Sequence, residues 1–161
     1  MVSTRVRPGS ADFLALTRSA RNSVTFVQVA RAAVLTGNQL TLEDLEPTTV
    51  WLAQDQGVRV GHMATGTFLD VWWHPESGLA PGALRAVLGR ADPDVQLLGD
   101  VVLRLRAPRI SGSGLRYDAE VLNGSLAGSV GACVLFLGPG DADRGVTLDP
   151  KHSPGQTNDR R

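Results

Sequence analysis

The stretch Leu115-Arg116-Tyr117-Asp118-Ala119-Glu120-Val121 alternates apolar and charged residues without a break. Successive side chains on an extended strand point to opposite faces, so this segment suits a strand with one oily face and one wet face. Val101-Val102-Leu103-Arg104-Leu105-Arg106 repeats the pattern. It is expected to precede the first segment as an antiparallel partner, with Pro108 and Ser111-Gly112-Ser113-Gly114 as punctuation between them. That pairing sets Arg104 or Arg106 near Asp118 or Glu120 on the wet face. Such exposed ion pairs contribute well under ~1 kcal/mol each.

The same reading extends along the middle of the chain. Val24-Thr25-Phe26-Val27-Gln28-Val29-Ala30-Arg31 opens it as a long, mostly apolar strand, followed by Leu40-Thr41-Leu42, Thr48-Thr49-Val50-Trp51-Leu52 and Val58-Arg59-Val60. Val130 to Leu137 is nearly continuous in apolar residues and reads as a strand covered on both faces, after a tight turn at Asn123-Gly124. Two segments stay ambiguous. Thr67-Phe68-Leu69-Asp70-Val71-Trp72-Trp73 has strand-type residues, yet Phe68, Leu69 and Trp72 also share one helical face. Gly82-Ala83-Leu84-Arg85-Ala86-Val87-Leu88 is equally undecided, because Ala, Leu and Arg all favour helix. Short strands separated by turns predict an all-β, single-domain β-sandwich or small β-barrel with one or two short helices.

Residues 1–22 read as an arginine-bearing N-terminal arm, in which Ala11 to Arg18 could form a short helix capped by Ser10 or Asp12. Residues 23–140 are expected to form the domain, and residues 141–161, polar and aperiodic, a disordered tail. A chain of 161 residues can bury roughly two-thirds of its unfolded surface and needs no disulfide or metal to fold.

Charge and composition exclude several chemistries. Sixteen basic residues balance sixteen acidic ones, which gives no support to a nucleic-acid reader and makes self-association into a homo-oligomer easier. All but one of the cations are arginine, and the single lysine, Lys151, lies in the polar tail, so no P-loop or Schiff-base lysine is expected. The single cysteine, Cys133, excludes an internal disulfide and reads as a small buried hydrophobe. No apolar run of signal-peptide or membrane-spanning length occurs, so a cytoplasmic, membrane-free protein is expected. Gly124-Ser125-Leu126-Ala127-Gly128 lacks the serine position of a nucleophile elbow, and the acidic clusters at Glu43-Asp44-Glu46 and Asp92-Asp94 read as solvated turns. No cofactor is expected.

Trp72-Trp73-His74-Pro75-Glu76 is the most distinctive cluster. If it is extended, the tryptophans point to opposite faces, one into the core and one onto the surface or a pocket. A surface tryptophan beside His74 and Glu76 would suit stacking on a flat ligand or anchoring a protein partner. His62 and His74, twelve positions apart, could converge with Asp70 or Glu76 across loops, but the spacing is no recognised ligand pattern, and no metal site is expected.

At Thr49-Val50-Trp51-Leu52, Val58-Arg59-Val60-Gly61-His62-Met63 and Thr67-Phe68-Leu69-Asp70-Val71-Trp72, the chain resembles a group of uncharacterised bacterial all-β proteins with an Arg-x-x-Gly step and a Phe-x-x-x-Trp segment. Leu105-Arg106-Ala107-Pro108, Leu115-Arg116-Tyr117, Val121-Leu122-Asn123-Gly124 and Leu135-Phe136 continue the likeness. The resemblance implies one domain over roughly residues 26–137 and brings no activity to any residue.

Two functions fit these expectations. The first is a non-enzymatic β module that binds a protein partner or small ligand through an aromatic loop surface, with Trp72, Trp73, His74, His62, Asp70 and Tyr117 as the candidate contact residues. The second is a cofactor-free cyclase or isomerase of a biosynthetic pathway, with an apolar cavity lined by Trp51, Phe68 or Tyr117 and with Tyr117, His62 and Asp70 as its polar groups. A hollow interior would favour the enzyme and a filled one the binding module.

Overall fold

The computed structural model describes residues 3–5, 24–54, 57–75, 77, 79, 82–90, 101–126 and 129–141. The elements in chain order are β1 (Ser3–Arg5), β2 (Val24–Thr36), β3 (Gln39–Leu45), β4 (Thr48–Gln54), β5 (Val58–Ala64), α1 (Thr65–Trp73), β6 (Leu84–Arg90), β7 (Val101–Ser111), β8 (Gly114–Asn123), β9 (Ser129–Val130) and β10 (Cys133–Asp141). The fold is all-β with one short helix among the described residues.

Strands β2, β10, β6, β7, β8 and β3 pair in that order, and β3 returns to β2, closing a six-strand barrel. Closure leaves no unpaired edge in this part of the sheet. The barrel resolves the choice between sandwich and barrel that alternation alone leaves open.

Strand β2 organises the rest. Its thirteen residues exceed the height of its neighbours, so each edge carries two partners in succession. On one edge β4 pairs with Val24–Val27 and β3 with Ala30–Thr36; on the other lie β10 and then β9. The split between β3 and β4 falls at Glu46-Pro47. Glu46 N–H donates to Val29 O at 2.8 Å, and Pro47, which has no N–H to offer a ladder, accepts from Thr65 N–H at 3.0 Å. From there β4 and β5 extend the sheet beyond the barrel, and β1 pairs parallel to β5.

The alternation expected for β7 and β8 holds. Arg104 stands opposite Glu120 and Arg106 opposite Asp118, with Arg104 Nη1 at 2.8 Å from Glu120 Oε2. Pro108 does not end β7. It lies within the strand just past a bulge at Ala107, whose φ of 50° absorbs the extra residue. Two-residue turns at Gly37-Asn38 and Gly112-Ser113 close the β2–β3 and β7–β8 hairpins, each with positive φ at its glycine alone.

One expectation is corrected and two ambiguities are resolved. The Val130–Leu137 run is two strands, and β10 is covered on one face only: Cys133, Leu135 and Leu137 are buried, while Val134 is half-buried and Phe136 is 38% exposed. The ambiguous Thr67–Trp73 segment is helix, because Phe68, Val71 and Trp72 fall at i, i+3 and i+4 and bury together. The segment around Leu84 is strand despite its helix-forming composition, since tertiary pairing with β10 and β7 outweighs propensities of a few tenths of a kcal/mol. Within the N-terminal arm, Ser3–Arg5 is a strand; the expected helix at Ala11–Arg18 lies outside the described residues, as does the expected tail at 141–161 apart from Asp141, which ends β10.

Inward positions form one core. Val24, Phe26, Leu40, Leu42, Leu103, Leu105, Leu115, Tyr117, Leu135 and Leu137 line the sheet, and Phe68, Val71 and Trp72 descend from α1 onto it. A nine-residue helix containing Gly66, Thr65, Thr67 and Val71 would not persist alone, so this packing holds it. Its C-terminal carbonyls are satisfied locally. The Ser77 hydroxyl lies 2.8 Å from His74 O and 3.1 Å from Trp72 O, and His74 N–H donates to Val71 O. No helix among the described residues is long and apolar enough to cross a membrane.

Candidate functional site

The six candidate contact residues do not converge. Trp72 is fully buried and makes edge-to-face contacts with Phe68 at 6.1 Å and Tyr117 at 6.4 Å between ring centroids. Phe26 and Phe68 continue the series at 5.1 Å. Trp73 is 51% exposed, and its indole N–H donates to Pro108 O at 3.2 Å. The two tryptophans are thus divided between core and surface, but by a 100° helical step rather than by strand alternation. His74 caps the C-terminus of α1, and Asp70 lies exposed on the same helix.

His62 belongs to the opposite face of the sheet. It alternates with the buried Gly61 and Met63 and pairs in register with Val50, whereas α1 sits on the face that carries Phe26. His62, His74 and Asp70 therefore form no ligand set, and no group of three His, Cys, Asp or Glu able to hold a metal occurs among the described residues. Glu76 lies outside the described residues.

Tyr117 heads a polar chain that runs from the core outward. Its hydroxyl donates to Gln28 Oε1 at 2.6 Å; Gln28 Nε2 donates to Thr49 Oγ1 at 3.4 Å; Thr49 and Thr65 hydroxyls meet at 3.2 Å; Thr65 donates to Glu46 O at 3.2 Å. One direction of donation satisfies every link, ending on the carbonyl where β3 and β4 divide. Burial pushes the Tyr117 phenol far above its ordinary value, and the Gln28 hydrogen bond offsets only part of that shift. Cys133 is buried as expected, and burial raises its thiol too. Neither group is poised to ionise near neutral pH. The indole N–H groups of Trp51 and Trp72 are buried without a hydrogen-bond partner among the described residues.

The feature that sequence reasoning missed lies on the outer wall. In register, Val50 of β4, Val27 of β2, Phe136 of β10, Val87 of β6 and Val102 of β7 stand side by side across five strands, all on the face turned away from the core. Val29 and Val134 form a second row beside them. Val29 is 43% exposed, and Val50 and Phe136 are 38% exposed. The band ends where Arg85, Arg104 and Glu120 line up across β6, β7 and β8. Beyond it the wall is charged, with an open groove of about 290 Å³ lined by Asn38, Arg104, Arg106, Asp118, Ala119 and Glu120. One signal was available: Val27 and Val29 are apolar while Val24, Phe26, Gln28 and Ala30 turn into the core. The lateral extent of the band depends on the register of five strands, which no local pattern encodes.

No family model, curated protein or solved structure matches this chain.

Proposed function

We propose that this chain is a non-enzymatic β-barrel binding module that docks a protein partner through the apolar band on its outer wall. The carrying observation is the cross-strand row Val50, Val27, Phe136, Val87 and Val102, which faces away from the core beside the charged line Arg85, Arg104 and Glu120. Single exposed apolar residues are ordinary on protein surfaces, but a contiguous patch rimmed by charge marks an interaction surface. The outer wall of a closed barrel is convex, which suits a protein surface better than a small ligand, which needs a concave site.

The packing around Tyr117 supports this reading over a cyclase or isomerase. The space around Tyr117 is taken by Trp72 and Gln28, and the phenol already donates its proton to an internal partner. A reactive apolar cavity would have to displace those side chains.

Site-specific photo-crosslinking tests the proposal. A photoreactive residue replacing Phe136 should give an adduct with a discrete protein partner, which includes a second copy of the chain. The same group replacing Arg116, outward on the charged wall, should give far less. Equal labelling from both positions, or none from position 136, would refute the band as a contact surface.

A further inference from the structure

Helix α1 leaves Gly66, Asp70 and Trp73 on one exposed stripe, at i, i+4 and i+7, while its other face is buried. We infer that Asp70 and Trp73 form a second binding site, which takes an arginine or lysine side chain of a basic peptide. It is separate from the outer apolar band, because α1 packs on the opposite face of the sheet.

Three features favour a cation there. Trp73 is half exposed, yet its ring is held: the helix fixes the backbone, and the indole N–H donates to Pro108 O. A ring anchored by its edge presents a π face without the loss of rotamer freedom that a loose side chain would suffer on binding. Asp70 precedes Trp73 by one turn on the same stripe, within the reach of helical i, i+3 neighbours, and its carboxylate makes no hydrogen bond or ion pair among the described residues. The C-terminal end of α1, with its partial negative charge, lies beside the ring.

The neighbouring strand completes the site. Ile110, two residues beyond Pro108, is 69% exposed and offers an apolar surface for the methylene stem of a long cation. Arg109 does not compete, because its guanidinium is held by Ala107 O at 3.0 Å and by Asp118 Oδ1 at 3.1 Å. A sugar would also stack on tryptophan, but its hydroxyls need several directed partners. Here the indole N–H is already engaged and one carboxylate stands beside it.

The test is a nuclear magnetic resonance titration of the full chain, following the amides of residues 70–74. The probes are acetyl-(Arg-Gly)3-amide, its glutamate counterpart and cellohexaose. Saturable shifts with the arginine peptide alone are expected, weakened about fivefold by Asp70→Asn and lost in Trp73→Ala. Both substitutions are at exposed positions, and circular dichroism checks that each variant stays folded. Phe136→Glu should leave this binding unchanged, which separates the site from the outer band. Three results would overturn the inference: no saturable shift with the arginine peptide, binding indifferent to Asp70→Asn, or saturation by cellohexaose instead.

Discussion

Tyr117 and Gln28, 89 residues apart in sequence, share a 2.6 Å hydrogen bond between the phenol and Oε1 inside the barrel. Their strands are not neighbours in the sheet, since β3 lies between β2 and β8. The bond therefore reaches across β3 on the inner face and ties together two strands that share no backbone ladder.

Removing both partners should cost less than the two single removals added together. Tyr117→Phe leaves Gln28 Oε1 buried and unpaired, and a loss of about 1–3 kcal/mol is expected in urea unfolding. Adding Gln28→Leu should be less costly than the sum of the two single changes. Strict additivity would mean that the pair is not coupled.

Tyr117 is the single tyrosine of the chain, so its ionisation can be followed by ultraviolet absorbance without interference. Burial raises its pKa in the folded state above the ordinary value of 10.0. The stability linked to this shift is fully present below that value and declines as pH rises beyond it, because only the unfolded chain ionises there. Phenolate absorbance should appear together with unfolding. Tyr117→Phe should show a flatter loss of stability above pH ~10. A phenol that titrates reversibly near 10 in the folded protein would contradict its burial.

Two glycines should respond in opposite directions. A Cβ at Gly114 would lie 1.7 Å from Leu42 O, on the backbone of the strand paired with β8, so Gly114→Ala should destabilise by more than ~2 kcal/mol and speed amide exchange along β3 and β8. At Gly66 a Cβ meets nothing within 4 Å, and Gly66→Ala should stabilise by about 0.5–1 kcal/mol. Thermal melts read both.

The adjacent tryptophans should also separate. Trp72→Ala empties a core position and is expected to cost about 3–5 kcal/mol, whereas Trp73→Ala should cost under ~1 kcal/mol. Similar losses at both would contradict the placement of α1.

The strands were legible because their inward and outward residues differ in kind. Leu115 to Val121 alternates oil and charge, and its partner strand and the Arg104–Glu120 ion pair follow from that alternation, whereas the pairing of Asp118 with Arg109 depends on the bulge at Ala107. Strand β10 was misread because Val134 and Phe136 are apolar on the outward side too, which erases the alternation. Helix α1 was hidden by β-branched, aromatic and glycine residues, and only the contacts of Phe68 and Trp72 with Phe26 and Tyr117 select it. The candidate site scattered for a related reason. Residues close in sequence, such as His62 and Asp70, were assigned to one surface, while the turn from β5 into α1 places them on opposite faces of the sheet.

The most direct measurement is the stability and surface hydrophobicity of a Val29→Asp, Phe136→Asp double variant, by thermal melting with dye binding and light scattering. If the band is a contact surface and not part of the core, the melting midpoint should move by only a few degrees, while apolar-dye fluorescence and any concentration-dependent association fall sharply. A collapse of the midpoint like that of Trp72→Ala, with dye binding rising, would show that these side chains are part of the folding core and would contradict the proposed docking surface.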